Sequence, residues 1–207
     1  MKLAKLVLLS ACFLTLSRSG SADSILVGTN LANLEAGAGL CPSDSNCTDL
    51  RQQFTLTSPV VIDQIKVVME PYGNFVNSYP GGDFTVALGG FFGSGELPPN
   101  STGDIVPQLF DFGNLDISMN PGTYYLSVSG GNVAWAHAPP LLTTAGTIGQ
   151  GQACDPTLGC RWQSVDSTFA MEIDGTIATP EPSTFALLAT GILGLAGSAR
   201  LKFLLRS

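Results

Sequence analysis

Hydrophobic and polar residues alternate along much of the chain, in short runs separated by clusters of Gly, Pro, Asn and Asp. In the stretch GTYYLSVSG, Tyr124, Leu126 and Val128 fall on one face of an extended strand, and Tyr125 and Ser127 fall on the other. One face in a core and one in water is typical of antiparallel sheets. The pattern therefore predicts half-buried antiparallel strands.

The same alternation predicts nine strands, while residues 23 to 179 show no helical stripe. The predicted strands are Ser24–Val27, Gln53–Thr57, Val60–Met69, Asp83–Phe92, Gln108–Phe112, Leu115–Met119, Thr123–Ser129, Asn132–His137 and Ser167–Ile173. Nine strands in this length favour an all-β fold, an antiparallel β-sandwich resembling a jelly roll. The order of the strands stays open.

The first 22 residues have the pattern of a secretory signal peptide. Lys2 and Lys5 precede an apolar run from Leu6 to Leu16, and small residues lead to a cleavage position after Ala22. An alternative is a lipoprotein signal in which Cys12 would carry the lipid. Both interpretations send residues 23–178 across the inner membrane as an extracytoplasmic domain.

Charge is distributed unevenly. The chain has sixteen acids and nine lysines and arginines, but residues 23–179 keep fifteen of the acids and only Arg51, Lys66 and Arg161 of the bases, a net charge of −12. A surface this acidic repels nucleic acid and anionic lipid. We therefore expect no nucleic-acid partner.

Four cysteines remain after the signal peptide, in two pairs of equal spacing. An even number in an exported protein favours disulfides, and three connectivities are possible. We expect the local bonds Cys41–Cys47 and Cys154–Cys160, because each pair lies within one loop rich in Pro, Asp, Gly or Asn. Zinc ligation is the alternative, although the spacing is wide and the chain has one histidine.

An uncharged run of sixteen residues, Thr184 to Ala199, lies near the C-terminus. As a helix it would extend for about 24 Å, slightly less than the hydrocarbon core of a bilayer. Arg200, Lys202 and Arg206 follow it, and cations after a span favour a cytoplasmic end. We therefore expect a transmembrane helix whose preceding domain lies outside the inner membrane.

The sequence TPEPSTFALLATGILGLAGSAR, with Pro180-Glu181-Pro182 ahead of the apolar run, resembles a PEP-CTERM sorting signal. The resemblance covers residues 179–207. It implies that exosortase, a membrane protease-transpeptidase, recognises the tail as its substrate. It also implies a Gram-negative bacterium that makes extracellular polysaccharide, and transient anchoring before delivery to the cell surface, the outer envelope or the extracellular matrix.

Little in the chain indicates catalysis. His137 is the single histidine, and no GxSxG nucleophile elbow accompanies it. Two of the fifteen acids could still converge as a glycosidase pair. We expect a non-catalytic surface or matrix protein associated with exopolysaccharide or biofilm, and keep a polysaccharide-active enzyme as an alternative.

A carbohydrate-binding, lectin-like module is the other alternative. Trp162, Trp135, Tyr72 and Tyr79 are the candidate residues, because exposed aromatic rings stack on sugar faces. Trp162, beside a predicted disulfide loop, is the stronger candidate, since a tryptophan such as Trp135 within a strand often fills the core.

We predict no resident cofactor, with a structural calcium ion as the alternative. Asp44, Asn46 and Asp49 lie close together around the first cysteine pair and offer the hard oxygen ligands that Ca²⁺ prefers. No EF-hand pattern accompanies them.

Replacing Pro180, Glu181 and Pro182 together with alanine should leave the β domain folded but block processing of the tail. Two prolines keep the segment extended, as a protease cleft requires. Mass spectrometry of envelope fractions should find the parent trimmed near residue 180 and the variant at full length in the inner membrane. If both proteins keep residues 183–207 in a host with exosortase, the tail is a permanent anchor instead.

Overall fold

Antiparallel β-strands make up most of the computed structural model, which describes residues 24–39, 49–72, 81–99, 104–143, 145–155, 160–178 and 191. Twelve strands occur in these ranges. They are β1 (Ser24–Gly28), β2 (Glu35–Gly39), β3 (Leu50–Leu56), β4 (Val60–Pro71), β5 (Gly82–Leu88), β6 (Phe91–Leu97), β7 (Gln108–Met119), β8 (Gly122–Gly130), β9 (Val133–His137), β10 (Gly146–Asp155), β11 (Arg161–Ser164) and β12 (Met171–Ile177).

The strands form two six-stranded sheets. The first sheet has the order β1-β12-β4-β9-β2, and β7 pairs with the opposite edge of β4. The second has the order β11-β10-β3-β8-β5-β6. Because strands distant in the chain are neighbours in both sheets, the local sequence pattern could not reveal this order.

One hydrophobic core lies between the two sheets and takes side chains from both. Phe84 on β5 packs edge-on against Phe110 on β7, with ring centroids 4.7 Å apart. Trp135 on β9 stacks on Phe169 at the same centroid distance and donates from Nε1 to Ala170 O. The prediction of an all-β, antiparallel fold is therefore confirmed.

Several predicted strands differ from the observed ones. The segment predicted as Asp83–Phe92 is a hairpin, because Gly89 and Gly90 have positive φ angles and turn the chain between β5 and β6. Two predicted strands, Gln108–Phe112 and Leu115–Met119, form the single strand β7. The turn-forming residues between them lie at a register shift in the pairing of β7 with β4.

Three strands, β2, β10 and β11, were absent from the prediction. β10 contains three glycines and β2 contains two, so neither shows the alternation of a half-buried strand. β11 is short and mostly exposed, and among the described strands it pairs only with β10. These strands exist because their backbones pair with neighbours.

Gln52 on β3 is fully buried, and its side chain holds distant segments together. Its Oε1 accepts a hydrogen bond from Phe169 N at 2.8 Å, and its Nε2 donates to Gly149 O at 2.8 Å. Phe169 lies two residues before the start of β12, and Gly149 lies at the register shift of β10. The buried amide of Gln52 thus provides hydrogen-bond partners for two backbone groups that are not bonded to a neighbouring strand.

Glu70 on β4 is buried and accepts a hydrogen bond from Gly37 N at 2.5 Å, which fixes β2 against the first sheet. Burial raises the pKa of Glu70, and the bond from Gly37 partly offsets this. A side chain on β4 therefore holds the glycine-rich strand β2 in place.

Lys66 on β4 bridges two carboxylates on β12. Its Nζ lies 2.5 Å from Glu172 Oε1 and 2.7 Å from Asp174 Oδ2. Burial lowers the pKa of Lys66, but the two carboxylates outweigh this, so its pKa is raised. The positive charge of Lys66 is thus balanced by two carboxylates on the neighbouring strand of its own sheet.

Both terminal segments, 1–22 and 179–207, lie outside the described residues except for residue 191, so the signal peptide, the tail helix and the domain boundaries stay predictions. Within the ranges given above, no helix has the length and apolar character needed to cross a membrane.

Replacing Gln52 with alanine should lower the free energy of unfolding by about 2–4 kcal/mol, because Phe169 N would stay buried without a partner and the partly buried Gly149 O would lose its hydrogen bond from Gln52. Gln53→Ala is the matched control, since its half-exposed side chain makes one long contact at 3.4 Å to Tyr125. We expect the control to change stability by about 0.5 kcal/mol or less. Urea unfolding measures both, and equal losses would contradict the role of Gln52.

Candidate ligand-binding surface

The outer face of the second sheet is polar, because residues alternate along β3. Leu50, Gln52, Phe54 and Leu56 point into the core, and the residues between them are only partly buried. Side chains from β8, β10 and β11 lie on the same outer face beside β3. This face therefore carries residues from four adjacent strands.

Arg51 lies at the centre of this face, against two aromatic rings from strands on either side of β3. Its Cζ is 4.1 Å from the ring centroid of Tyr125 on β8 and 4.0 Å from that of Trp162 on β11. Its Nε donates to Oε1 of Gln152 on β10 at 2.6 Å. We call Arg51, Tyr125, Gln152 and Trp162 the Arg51 platform.

The sheet register explains why these four side chains meet. Arg51 is paired with Gln152 on one side and with Ser127 on the other, and Trp162 is paired with Cys154, two residues from Gln152. Neighbouring strands are about 4.8 Å apart, so the platform spans roughly 14 Å from β8 to β11. Cation–π contacts of this kind contribute about 0.5–2 kcal/mol each.

A disulfide between Cys154 and Cys160 closes the loop that connects β10 to β11, with Cα atoms 4.8 Å apart. It is the second of the two expected local pairs, and the first pair lies outside the described residues. The bond fixes the start of β11 two residues before Trp162. It therefore helps to hold that ring over Arg51.

The same two sulfurs lie within 4.8 Å of a carboxylate oxygen of Asp49. Both are committed to the disulfide, so zinc ligation by this pair of cysteines is wrong. Asp44 and Asn46 lie outside the described residues, and the half-buried Asp49 alone makes no calcium site. The calcium hypothesis stays a prediction.

The structure separates the aromatic residues proposed for sugar binding. Trp135 is fully buried in the core, so the prediction that it could bind a sugar at the surface is wrong. Tyr72 follows β4 in the other sheet, and Tyr79 lies outside the described residues. Trp162 is half-buried on the Arg51 platform, with Arg51 against its ring.

His137 contacts a serine. Ser167 Oγ lies 3.1 Å from His137 Nε2, and Glu35 is opposite His137 in the β2–β9 pairing. The imidazole also packs against the ring of Phe169, with centroids 5.3 Å apart. Burial lowers the pKa of His137, and Glu35 acts in the opposite direction. The contact ties β9 to the segment that leads into β12.

Sequence reasoning missed Arg51, Tyr125 and Gln152 as site residues. A usable signal existed, because Arg51 is one of three cations in a strongly acidic domain and Tyr125 lies on the polar face of its strand. Their meeting depends on β3 lying between β8 and β10, which only the tertiary structure shows.

Acrylamide quenching of tryptophan fluorescence should separate the two tryptophans of the chain. Trp135 is 0% exposed, so it should emit at short wavelength and resist the quencher, whereas Trp162 should be quenched. Trp162→Phe should therefore lower the quenching constant several-fold, and Trp135→Phe should preserve the quenchable component. Unchanged quenching in Trp162→Phe would contradict this placement.

Comparison with known proteins gives one match. Residues 178–200 match the family model of the PEP-CTERM protein-sorting motif. No curated protein and no solved structure matches the chain significantly. The matched segment begins at Ala178, directly after the end of β12. Ala178 N donates a hydrogen bond to Pro59 O. The chain therefore carries the sorting signal of PEP-CTERM proteins, which implies export, transient membrane anchoring in a Gram-negative bacterium and sorting by exosortase.

Proposed function

We propose that the chain is a non-catalytic exported protein of the cell surface or extracellular matrix, and that its β domain binds extracellular polysaccharide. The sorting signal supports delivery to the envelope. The Arg51 platform is the observation that carries the binding proposal. It offers aromatic, amide and guanidinium groups on one open sheet face, and these are groups that interact with sugar rings and hydroxyls.

The composition of this face supports a sugar ligand. Around the platform lie neutral hydroxyl and amide side chains, including Ser127, Ser164 and Gln53. Such groups both donate and accept hydrogen bonds, as sugar hydroxyls require. The platform is open and about three strand spacings wide, which suits part of an extended chain.

The strand order also supports this proposal, by analogy alone. Strands β1, β12, β4 and β7 are hydrogen-bonded neighbours in that order in one sheet. Strands β3, β8, β5 and β6 are neighbours in that order in the other. This is the pairing of a double-sheet jelly roll, an architecture that occurs in lectin domains. Since a fold does not establish a function, the platform and not the topology carries the argument.

A hydrolase is the weaker alternative. Ser167 and His137 are within hydrogen-bond distance, but the imidazole packs on Phe169 within the segment before β12. Two surface depressions, of about 360 and 470 Å³, lie between β4 and β7 and between β5 and β6, and neither is lined by these residues. Release of new reducing ends from polysaccharide, lost in Ser167→Ala, would establish the alternative.

Trp162→Ala should weaken binding to extracellular polysaccharide purified from the producing bacterium by about fivefold or more, because truncating an aromatic anchor at a binding hot spot costs more than about 1 kcal/mol. Phe92→Ala is the matched control. Phe92 is 73% exposed on the outer face of β6, at the opposite edge of the same sheet.

Affinity electrophoresis and calorimetry with the secreted protein measure the effect. The control should bind like the parent. Equal weakening in both variants, or no binding by the parent, would reject the platform as a polysaccharide site.

A further inference from the structure

Arg51 has hydrogen-bonding capacity that the described part of the chain does not use. A guanidinium carries five N–H donors. Nε donates to Gln152 Oε1, while the Nη groups have no hydrogen-bond partner among the residues whose contacts the structure describes. Because the rings of Tyr125 and Trp162 lie against the guanidinium, its Nη edge is the part that the described residues leave for a ligand.

The charge of Arg51 is also uncompensated within the described ranges. The ion pairs found there both belong to Lys66, which is held between Glu172 and Asp174. Arg51 is instead held by aromatic rings and by a neutral amide. In a domain with a net charge of −12, most of the surface repels anions, and the Arg51 platform is a place where an anion gains a favourable contact.

The geometry of the contacts prepares Arg51 for a planar anion. Two rings and one hydrogen bond restrict the side chain, so little rotamer entropy is lost when a ligand binds. The two Nη groups form a fork that matches the two oxygens of a carboxylate. A lysine at this position would provide the charge but neither the fork nor the stacking.

We propose that the Arg51 platform binds the carboxylate of a uronic acid residue in an acidic polysaccharide, through the Nη edge of Arg51. This inference rests on the proposed function and specifies its ligand class. Tyr125 and Trp162 hold the guanidinium and contact the sugar ring beside it. We therefore expect the protein to bind an anionic polysaccharide more tightly than a neutral one, although its overall negative charge disfavours anions.

Binding of the secreted protein to three uronate polymers, polygalacturonate, alginate and hyaluronate, tests this proposal. Each polymer is compared with the same polymer after its carboxyl groups have been reduced to alcohols. We expect at least one uronate polymer to bind tenfold or more tightly than its reduced form, and this preference to weaken at high salt because a charge pair is screened. The proposal is overturned if no polymer loses affinity on reduction.

Three variants locate the effect. Arg51→Gln should abolish the preference for the uronate form, and Arg51→Lys should recover only part of it, because the ammonium lacks the fork. Arg161→Gln is the matched control, since it removes one cation from the exposed edge strand that carries Trp162. Equal losses in Arg51→Gln and Arg161→Gln would mean that overall charge, and not the platform, sets the preference.

Two readouts separate this inference from the proposed function and from a merely structural role. Tight binding of the reduced polymers, weakened by Trp162→Ala, would preserve polysaccharide binding but reject the uronate contact. A structural role would lower the melting temperature of Arg51→Gln and weaken binding of charged and reduced polymers alike. An unchanged melting temperature with loss of the uronate preference alone supports the proposal.

Discussion

The buried amide of Gln52 is the interaction on which the arrangement of both sheets depends. It satisfies the backbone N–H of Phe169 and the carbonyl of Gly149, so it joins β3 to the segment that enters β12 and to the irregular part of β10. On the opposite face of β3, its neighbour Arg51 meets side chains from β8, β10 and β11. Because side chains alternate along β3, Gln52 bonds backbone groups inside the molecule while the adjacent Arg51 belongs to the candidate surface.

Electrostatics gives this surface its character. The domain has fifteen acids and three bases, and Lys66 is spent on two carboxylates of its own sheet. Arg51 is instead held by aromatic rings, and its Nη groups have no hydrogen-bond partner among the described residues, so we propose that this edge binds an anion. A single cation can decide selectivity here because the surrounding domain charge would otherwise repel such a ligand.

The tail and the β domain have separate roles. The sorting motif implies export, transient membrane anchoring and processing by exosortase. We propose that the β domain makes the contacts of the delivered protein with polysaccharide. Its edge hairpin β10–β11, closed by the Cys154–Cys160 disulfide, places Trp162 where the exported protein faces its surroundings.

The sequence by itself determined the sorting class, the all-β fold and the local Cys154–Cys160 disulfide, because each depends on residues close together in the chain. Alternation predicted most strands, but it missed the glycine-rich β2 and β10, which are held by partners rather than by their own side chains. Only the tertiary structure buried Trp135, kept Trp162 at the surface and brought Arg51, Tyr125 and Gln152 together. The physical reason is that these contacts cross between strands far apart in sequence, and sheet order is set by packing of the whole core.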